Sequence, residues 1–459
     1  MSNRKSNVKP PSSGEKRSLN RHTVTRSEAV ELNADRDKLN NPTLENGKAH
    51  MLASKQSWDK GISQEQGKMN TSLEDVHTAF RKWLFIDDTD RLDLALAVAI
   101  NYKKPGTPLW MFFIAPSGDW KSELIRSFIG LPDVIVLDQI TKNTLASGLK
   151  DTSDLGAVLQ NKDTRLIFPD LACLLSCNKD DKRQILGQFR ELYDGYINKR
   201  TGSGVVRKYE GCHVTLIAGA TPVIRNEILL HQQIGTRELM YDRDTEISQN
   251  EDKMEKAWEN EEHEEEMREE LKRVVYNFCL FHMPNKIRIS NAIKEFIKDE
   301  ARRLAILRAT GDIDWRYAEL KGPITPETPT RLMKQLKRIY ITLKSLDPEY
   351  PDKTAKRIIS DVVDGSGSKL RQKILDVCNR LNNREKWLSV PDLQLETDLG
   401  RKIVKAECEQ LTYLHELEKR IYLMHVGGAD VPNYEGRIAW SRGFDKEVDQ
   451  YRITPQKKL

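Results

Sequence analysis

The sequence predicts an α/β chain, with a parallel-sheet core under a helical lid and a small helix-and-strand domain towards the C-terminal end. Three observations carry this reading. Continuous apolar runs bounded by turn residues, at 109–114, 134–137, 166–168 and 214–218, have the texture of strands buried on both faces. Helical stretches at 121–129 and 183–193 alternate with them, which is the pattern of parallel pairing. Beyond Leu271 the apolar spacing is helical, until mixed helix and strand signals appear after Lys369.

Taken in order, residues 1–70 are rich in Ser, Asn, Lys, Arg and Glu with isolated apolar residues, too few to offset the entropy of ordering, and predict a disordered basic arm. Arg4, Lys5, Lys9, Lys16, Arg17, Arg21 and Arg26 face a single acid, Glu15, within its first 26 residues. Such an arm either holds phosphates weakly or is a solvated tail. A helical lead-in follows over 71–104, where Val76, Phe80, Trp83 and Leu84 recur at helical spacing. Pro105-Gly106 breaks it, and the α/β core occupies 105–244. A helical lid spans 245–346 and opens on an acidic stretch at 246–270, twelve acids against Lys253, Lys256 and Arg268, read as a long solvated helix or a mobile insert. The run Asp347-Pro348-Glu349-Tyr350-Pro351 starts a linker over 347–368. A small domain at 369–430 and a tail at 431–459 complete the chain.

Composition sets limits on function. A chain of 459 residues is too long for one ordinary domain. Its 74 Lys and Arg against 69 Asp and Glu leave a net charge of +5, so the total does not identify a partner and the distribution must. No run of 18 apolar residues and no secretory leader occurs, so no membrane partner and a cytoplasmic setting are expected. The six cysteines are scattered, without a C-x-x-C pair or a histidine cluster. They read as small buried hydrophobes, not as disulfides or a zinc site.

The sharpest motif is the turn after the first strand, Ala115-Pro116-Ser117-Gly118-Asp119-Trp120-Lys121-Ser122, leading into a helix. Strand, tight loop, Lys-Ser and helix suit a nucleotide phosphate: backbone N–H groups face the anion, the lysine meets the terminal oxygens and the hydroxyl ligates Mg²⁺. Ala115 and Trp120 stand where that pattern has glycines, and Trp120 requires its ring to point away from the phosphates. The third strand ends in Pro169-Asp170, an acid at the same edge that can hold the metal through water, and the fourth ends in Ala220-Thr221. Leu171 occupies the place of a water-activating glutamate. Glu191 and Asp194 are candidate replacements, or surface acids of their helix.

With these residues the chain resembles the AAA+ P-loop ATPases of phages and integrated mobile elements, distantly similar to minichromosome-maintenance helicases. The resemblance runs over about 105–425 and rests on Lys121-Ser122-Glu123, Thr144 to Gly148, Asp170, Leu186 to Gly195, Leu216 to Thr221 and Gly235-Thr236-Arg237-Glu238-Leu239. It implies ATP and Mg²⁺ held by Lys121, Ser122 and Asp170, with Thr221 as the polar sensor of the γ-phosphate. It also implies that Arg237 is an arginine finger reaching a neighbouring subunit's nucleotide and Arg331 the second sensor arginine of the lid. An arginine supplied in trans makes hydrolysis depend on assembly, so a homo-oligomeric, hexameric ring is expected.

DNA is the expected partner at two further places. Residues 196–209 read as a hairpin around Gly202-Ser203-Gly204, with Lys199, Arg200, Arg207 and Lys208 on its arms. In the helicases the chain resembles, a hairpin inserted here projects into the ring channel, although this one could be merely solvated. In the small domain, the order helix, strand, helix, turn, helix and β-wing is that of a winged helix. It leaves Arg401, Lys402 and Lys405 for phosphate or groove contact, though winged helices also bind proteins. The sequence thus points to an ATP-driven, helicase-like DNA motor or DNA-remodelling ATPase. A weakly or non-hydrolysing initiator or loader platform, favoured by Trp120 and Leu171, is the alternative.

Overall fold

The computed structural model describes residues 71–103, 106–149, 154–202, 204–227, 236–242, 251–381, 387–426, 430–432, 438–440 and 444–453. The basic arm expected over 1–70 lies outside them. The lead-in forms two helices, α1 (Leu73–Trp83) and α2 (Asp90–Ile100). Ser72 and Asp75 close a capping box at the start of α1, and Val76, Phe80 and Trp83 face inward at helical spacing. Every residue of α2 is buried.

The core is a five-stranded, all-parallel sheet of β1 (Trp110–Ile114), β2 (Val134–Val136), β3 (Lys162–Phe168), β6 (Cys212–Ala220) and β7 (Leu239–Tyr241), in the order β2-β3-β6-β1-β7. Its strands are apolar where both faces are covered, whereas Lys162 and Asp163 at the start of β3 and His213 near the start of β6 are exposed. Met111, Phe113, Ile167, Ile217 and Tyr241 belong to one hydrophobic cluster, whereas Trp110, Phe112, Ile114, Leu166 and Phe168 belong to the other, the two-residue alternation of a strand. Helix α3 (Lys121–Arg126) follows β1, and α4 (Lys179–Tyr193) leads into a separate antiparallel hairpin of β4 (Tyr196–Arg200) and β5 (Val206–Glu210).

The acidic stretch divides. Helix α5 (Glu251–Glu259) buries nothing, whereas α6 (Glu264–Phe281) continues past residue 270 and buries Met267, Leu271, Val275 and Phe278. Helix α7 (Asn291–Arg308), a small hairpin of β8 (Ile313–Asp314) and β9 (Glu319–Leu320), and α8 (Thr330–Leu343) complete the expected lid.

The expected linker over 347–368 is instead helix α9 (Asp352–Ser366), which buries Ala355, Ile358, Ile359, Val362 and Val363. It covers the free edge of β7. A Cβ on Gly365 would lie 2.4 Å from the Met240 carbonyl, and the Met240 N–H donates to Ser366 Oγ (2.7 Å). The strand edge is thereby closed to further pairing.

The C-terminal unit comprises α10 (Lys369–Arg380), β10 (Leu388–Ser389), α11 (Val390–Thr397), α12 (Arg401–Tyr413) and β11 (Leu417–Val426). A short pair, β12 (Asp430–Pro432) with β13 (Ile438–Trp440), is followed by β14 (Phe444–Ile453). The expected tail over 431–459 therefore contains the central strand of this unit's sheet, whose order is β10-β14-β11. Arg371, fully buried, joins the unit to the lid by donating to the carbonyls of Ile306 and Ala309 (2.6 Å each) and to Glu407 (3.2 Å).

Candidate nucleotide site at the carboxyl edge of the sheet

Lys121 opens α3 at the carboxyl end of β1. Its side chain turns down onto the sheet edge, where Nζ donates to the carbonyls of Ala115 (3.1 Å) and Ala220 (2.8 Å), and the residue is 4% exposed. Burial pulls its pKa below the ordinary lysine value, and the charges of Asp170 and Asp119 offset part of that. Pro116, Ser117 and Gly118 form the exposed crest of the loop, and Ser122 lies half-buried beside Lys121. Gly118 has φ +84°, a conformation that favours glycine, and a Cβ there would meet nothing within 4 Å. Open space therefore borders the loop backbone.

Asp170 follows the end of β3, on the other side of β6 from β1, with an exposed carboxylate whose Oδ1 accepts from the Ala172 N–H (2.9 Å). Thr221, half-buried, follows Ala220. The ends of β3 and β6 are close: a Cβ on Gly219 would lie 2.5 Å from the Pro169 carbonyl. A buried ammonium, a hydroxyl and an exposed carboxylate on neighbouring strand ends fit a triphosphate with Mg²⁺, since the oxygens of Ser122 and Asp170 are the donor type that ion takes. Leu171 belongs to the core, and its N–H donates to the Gly219 carbonyl (2.8 Å).

The loop is held from outside by residues that sequence reasoning missed. Arg91 of α2 donates to Asp119 Oδ2 (2.7 Å), and its guanidinium lies 4.8 Å from the Trp120 ring centroid. Trp120 meets Phe80 of α1 edge-on at 6.5 Å, so its ring packs on the lead-in helices, away from the crest. Arg268 of α6 grips Glu123 with two hydrogen bonds, at 3.0 and 3.1 Å. The amphipathic spacing of α1 was the one sequence signal pointing to this support.

The other catalytic candidates lie elsewhere. Gly195 accepts from the Cys212 N–H (3.0 Å) at the start of β6, whereas Lys121 touches Ala220 at its end. The nine residues of β6, at about 3.3 Å each, place Asp194 and Lys121 on opposite edges roughly 25 Å apart. Glu191 accepts from the Asn198 N–H (2.9 Å). Neither acid can activate water at this chain's own Lys121.

Arg237 precedes β7 and shares that far edge. Its Nη2 donates to Asp194 Oδ2 (3.2 Å), its guanidinium lies 5.7 Å from the Tyr193 ring, and its side chain is only 15% exposed. It is turned onto its own chain and does not project as a finger. Arg331 donates to the Thr236 carbonyl (2.6 Å) and pairs with Glu327, so it stands beside Arg237 and not beside Lys121. Buried Arg308 donates to the Glu238 carbonyl (2.7 Å), and burial lowers its pKa while raising that of Glu327. Arg237 Nε, Arg331 Nε and Thr236 Oγ1 are buried there without hydrogen-bond partners, and Arg308 Nη1 faces Glu327 Oε1 at 3.6 Å.

The basic residues of the hairpin divide by facing. Lys199 Nζ donates to the carbonyls of Lys142 (2.6 Å) and Ala146 (2.9 Å) and to Asn143 Oδ1 (3.0 Å). Arg207 donates to the carbonyls of Ser147 and Leu149 and pairs with Asp154. These two cations hold segment 142–149, whereas Arg200 is exposed and Lys208 sits in an exposed pair with Glu210 (2.7 Å). In the C-terminal unit Arg401 and Lys402 are exposed, but Lys405 donates to the Tyr317 carbonyl (3.0 Å). Among the cysteines, Cys212, Cys279, Cys378 and Cys408 are buried and Cys173 and Cys177 half-buried. No helix among the described residues is long and apolar enough to cross a membrane.

No family model matches the chain, and no curated protein matches it. A solved structure, a full-length MCM homolog from Methanopyrus kandleri, is similar with a TM-score of 0.36 and 12% identity, over 70% of this chain and 62% of that one. The chain thus spans less than two thirds of that structure's length.

Proposed function

We propose that the chain is an ATP-dependent DNA motor or DNA-remodelling ATPase, helicase-like, belonging to a phage or mobile element and working as a ring of identical subunits. The observation that carries this is Lys121: a buried ammonium at the edge of a parallel sheet, caged by the carbonyls of Ala115 and Ala220 and flanked by Asp170. Its hydrogen-bond acceptors are neutral carbonyls and the charges of Asp170 and Asp119 offset only part of its burial, and a phosphate is the partner that the open loop above it admits. Ser122 and Asp170 would hold Mg²⁺, which supplies charge neutralisation of the phosphate oxygens. Thr221 is placed to hydrogen-bond the terminal phosphate. Arg237 and Arg331, brought together at the opposite edge with unmet donors, suit a neighbouring subunit's nucleotide, and Asp194 is the group that Arg237 must leave to reach it. The C-terminal unit has the element order of a winged helix; its Arg401 and Lys402, together with Arg200 and Lys208 of the β4–β5 hairpin, are the exposed phosphate-binding candidates.

A second reading is a nucleotide-dependent initiator or loader platform that hydrolyses weakly or not at all. Leu171 favours it, because the position after Asp170 is committed to the core and both other acids lie at the far edge. Steady-state ATP turnover with and without DNA separates the two. DNA-stimulated turnover abolished by Lys121→Ala supports the motor, and nucleotide binding without turnover supports the platform.

A further inference from the structure

The turn between β8 and β9 carries two aromatic rings that the phosphate edge does not use. Trp315 and Tyr317 are 57% and 58% exposed, with exposed Arg316 between them. The turn under them is fixed: the Arg316 N–H donates to Asp314 Oδ1 (2.9 Å) and the Tyr317 N–H to the Asp314 carbonyl (3.2 Å). The hairpin is in turn fastened to α12. Lys405 Nζ donates to the Tyr317 carbonyl, the Gly311 N–H donates to Gln410 Oε1 (3.1 Å), and Ile313, Ala318 and Ala406 form a small buried cluster. Arg401 and Lys402 stand one helical turn before Lys405, on the same face and exposed.

The cations of this hairpin and of the face of α12 to which it is fastened are Arg316, Lys321, Arg401, Lys402 and Lys405, and the acids of the hairpin are Asp312, Asp314 and Glu319. Of the acids, Asp314 caps the turn and Glu319 pairs with Lys405 (3.5 Å). Two rings more than half exposed on a hairpin turn, with guanidinium and ammonium groups on the same hairpin and on the helix that holds it, differ from the fully desolvated anchors of a protein hot spot. They suit flat partners with π-faces joined by phosphates, and in a duplex those faces are already stacked. We propose that Trp315 and Tyr317, with Arg316, Arg401 and Lys402, form a binding platform for single-stranded nucleic acid. It is independent of nucleotide binding at Lys121.

The test is fluorescence anisotropy of the full chain, without nucleotide, on a labelled thymidine oligomer of about 30 nucleotides and on a duplex of the same length. Trp315→Ala and Tyr317→Ala should each weaken single-strand binding about tenfold and leave duplex binding within about twofold, whereas Trp315→Phe keeps most of the affinity. Arg401→Ala with Lys402→Ala should weaken both ligands and flatten the salt dependence. Unchanged melting curves show that the exposed-ring variants are folded. The proposal is overturned if the wild-type chain does not bind the single strand, if the ring variants bind it undiminished, or if they lose both ligands equally. It is also overturned if these variants instead lose self-association in sedimentation, which would make the tip a protein contact.

Discussion

Arg91 holds Asp119 in an ion pair nearly closed to water, its side chain 6% exposed and that of the aspartate 11%. A carboxylate in a loop that receives phosphate would repel the ligand, and this contact turns it outward while the same guanidinium faces Trp120. The lead-in helices thereby shape the loop from a point 28 residues upstream.

Arg91→Met should therefore weaken MgATP binding roughly tenfold, and adding Asp119→Asn should restore most of it, a coupling of about 1–3 kcal/mol for residues in direct contact. Titration with a fluorescent ATP analogue across the four proteins of the cycle measures this. Equal losses in the single and double variants would show that Arg91 acts only through folding.

The pH dependence follows from Lys121. Its protonated form binds the anion, and burial lowers its pKa below 10.5. Affinity for MgATP should thus fall with rising pH, starting below the ordinary lysine range, and Lys121→Arg should remove that fall up to pH of about 10 because guanidinium stays charged. Binding isotherms across this range check the sign. The same depressed pKa means that the buried charge destabilises the unliganded fold at neutral pH, and that this penalty is relieved as pH rises through the folded pKa.

Arg237 and Lys121 lie on opposite edges of one sheet, so one subunit cannot bring them to the same nucleotide. Lys121→Ala and Arg237→Ala proteins should each be inactive, and a mixture should regain part of the DNA-stimulated turnover through interfaces that join one intact Lys121 to one intact Arg237. An inactive mixture of demonstrably co-assembled subunits would remove the arginine from a role in trans.

Arg371 places a wholly buried guanidinium between the lid and the C-terminal unit. Removing it leaves the Ala309 carbonyl and Glu407 without this donor and the Ile306 carbonyl with only the Ala309 N–H (3.2 Å), and Arg371→Ala should cost about 3–5 kcal/mol by the measure of broken buried pairs. Urea unfolding reads the loss.

Four of the five strands were legible as apolar runs because parallel strands are covered on both faces. The fifth, β7, is only three residues long and carries no such run. Pro348 and Pro351 suggested a linker, yet the helical spacing of Ala355, Ile358, Ile359, Val362 and Val363 just beyond them was present in the sequence. β14 was unreadable locally, since its partner β11 lies across a long connection. The position of Lys121, Asp170 and Thr221 at the carboxyl edge of the sheet was legible because a strand end can be read from one chain segment. The placement of Glu191, Asp194 and Arg331 at the other edge depends on strand direction and register, which only the assembled sheet supplies. Facing likewise separated Lys199 and Arg207 from Arg200 and Lys208.

The central claim is that the Lys121 edge holds a nucleoside triphosphate, and equilibrium binding of labelled ATP with Mg²⁺ to folded wild-type and Lys121→Ala protein tests it most directly. Saturable binding that falls by about a hundredfold in the variant, as loss of a buried charged contact predicts, supports the account. Binding that is equally tight in both proteins would contradict it.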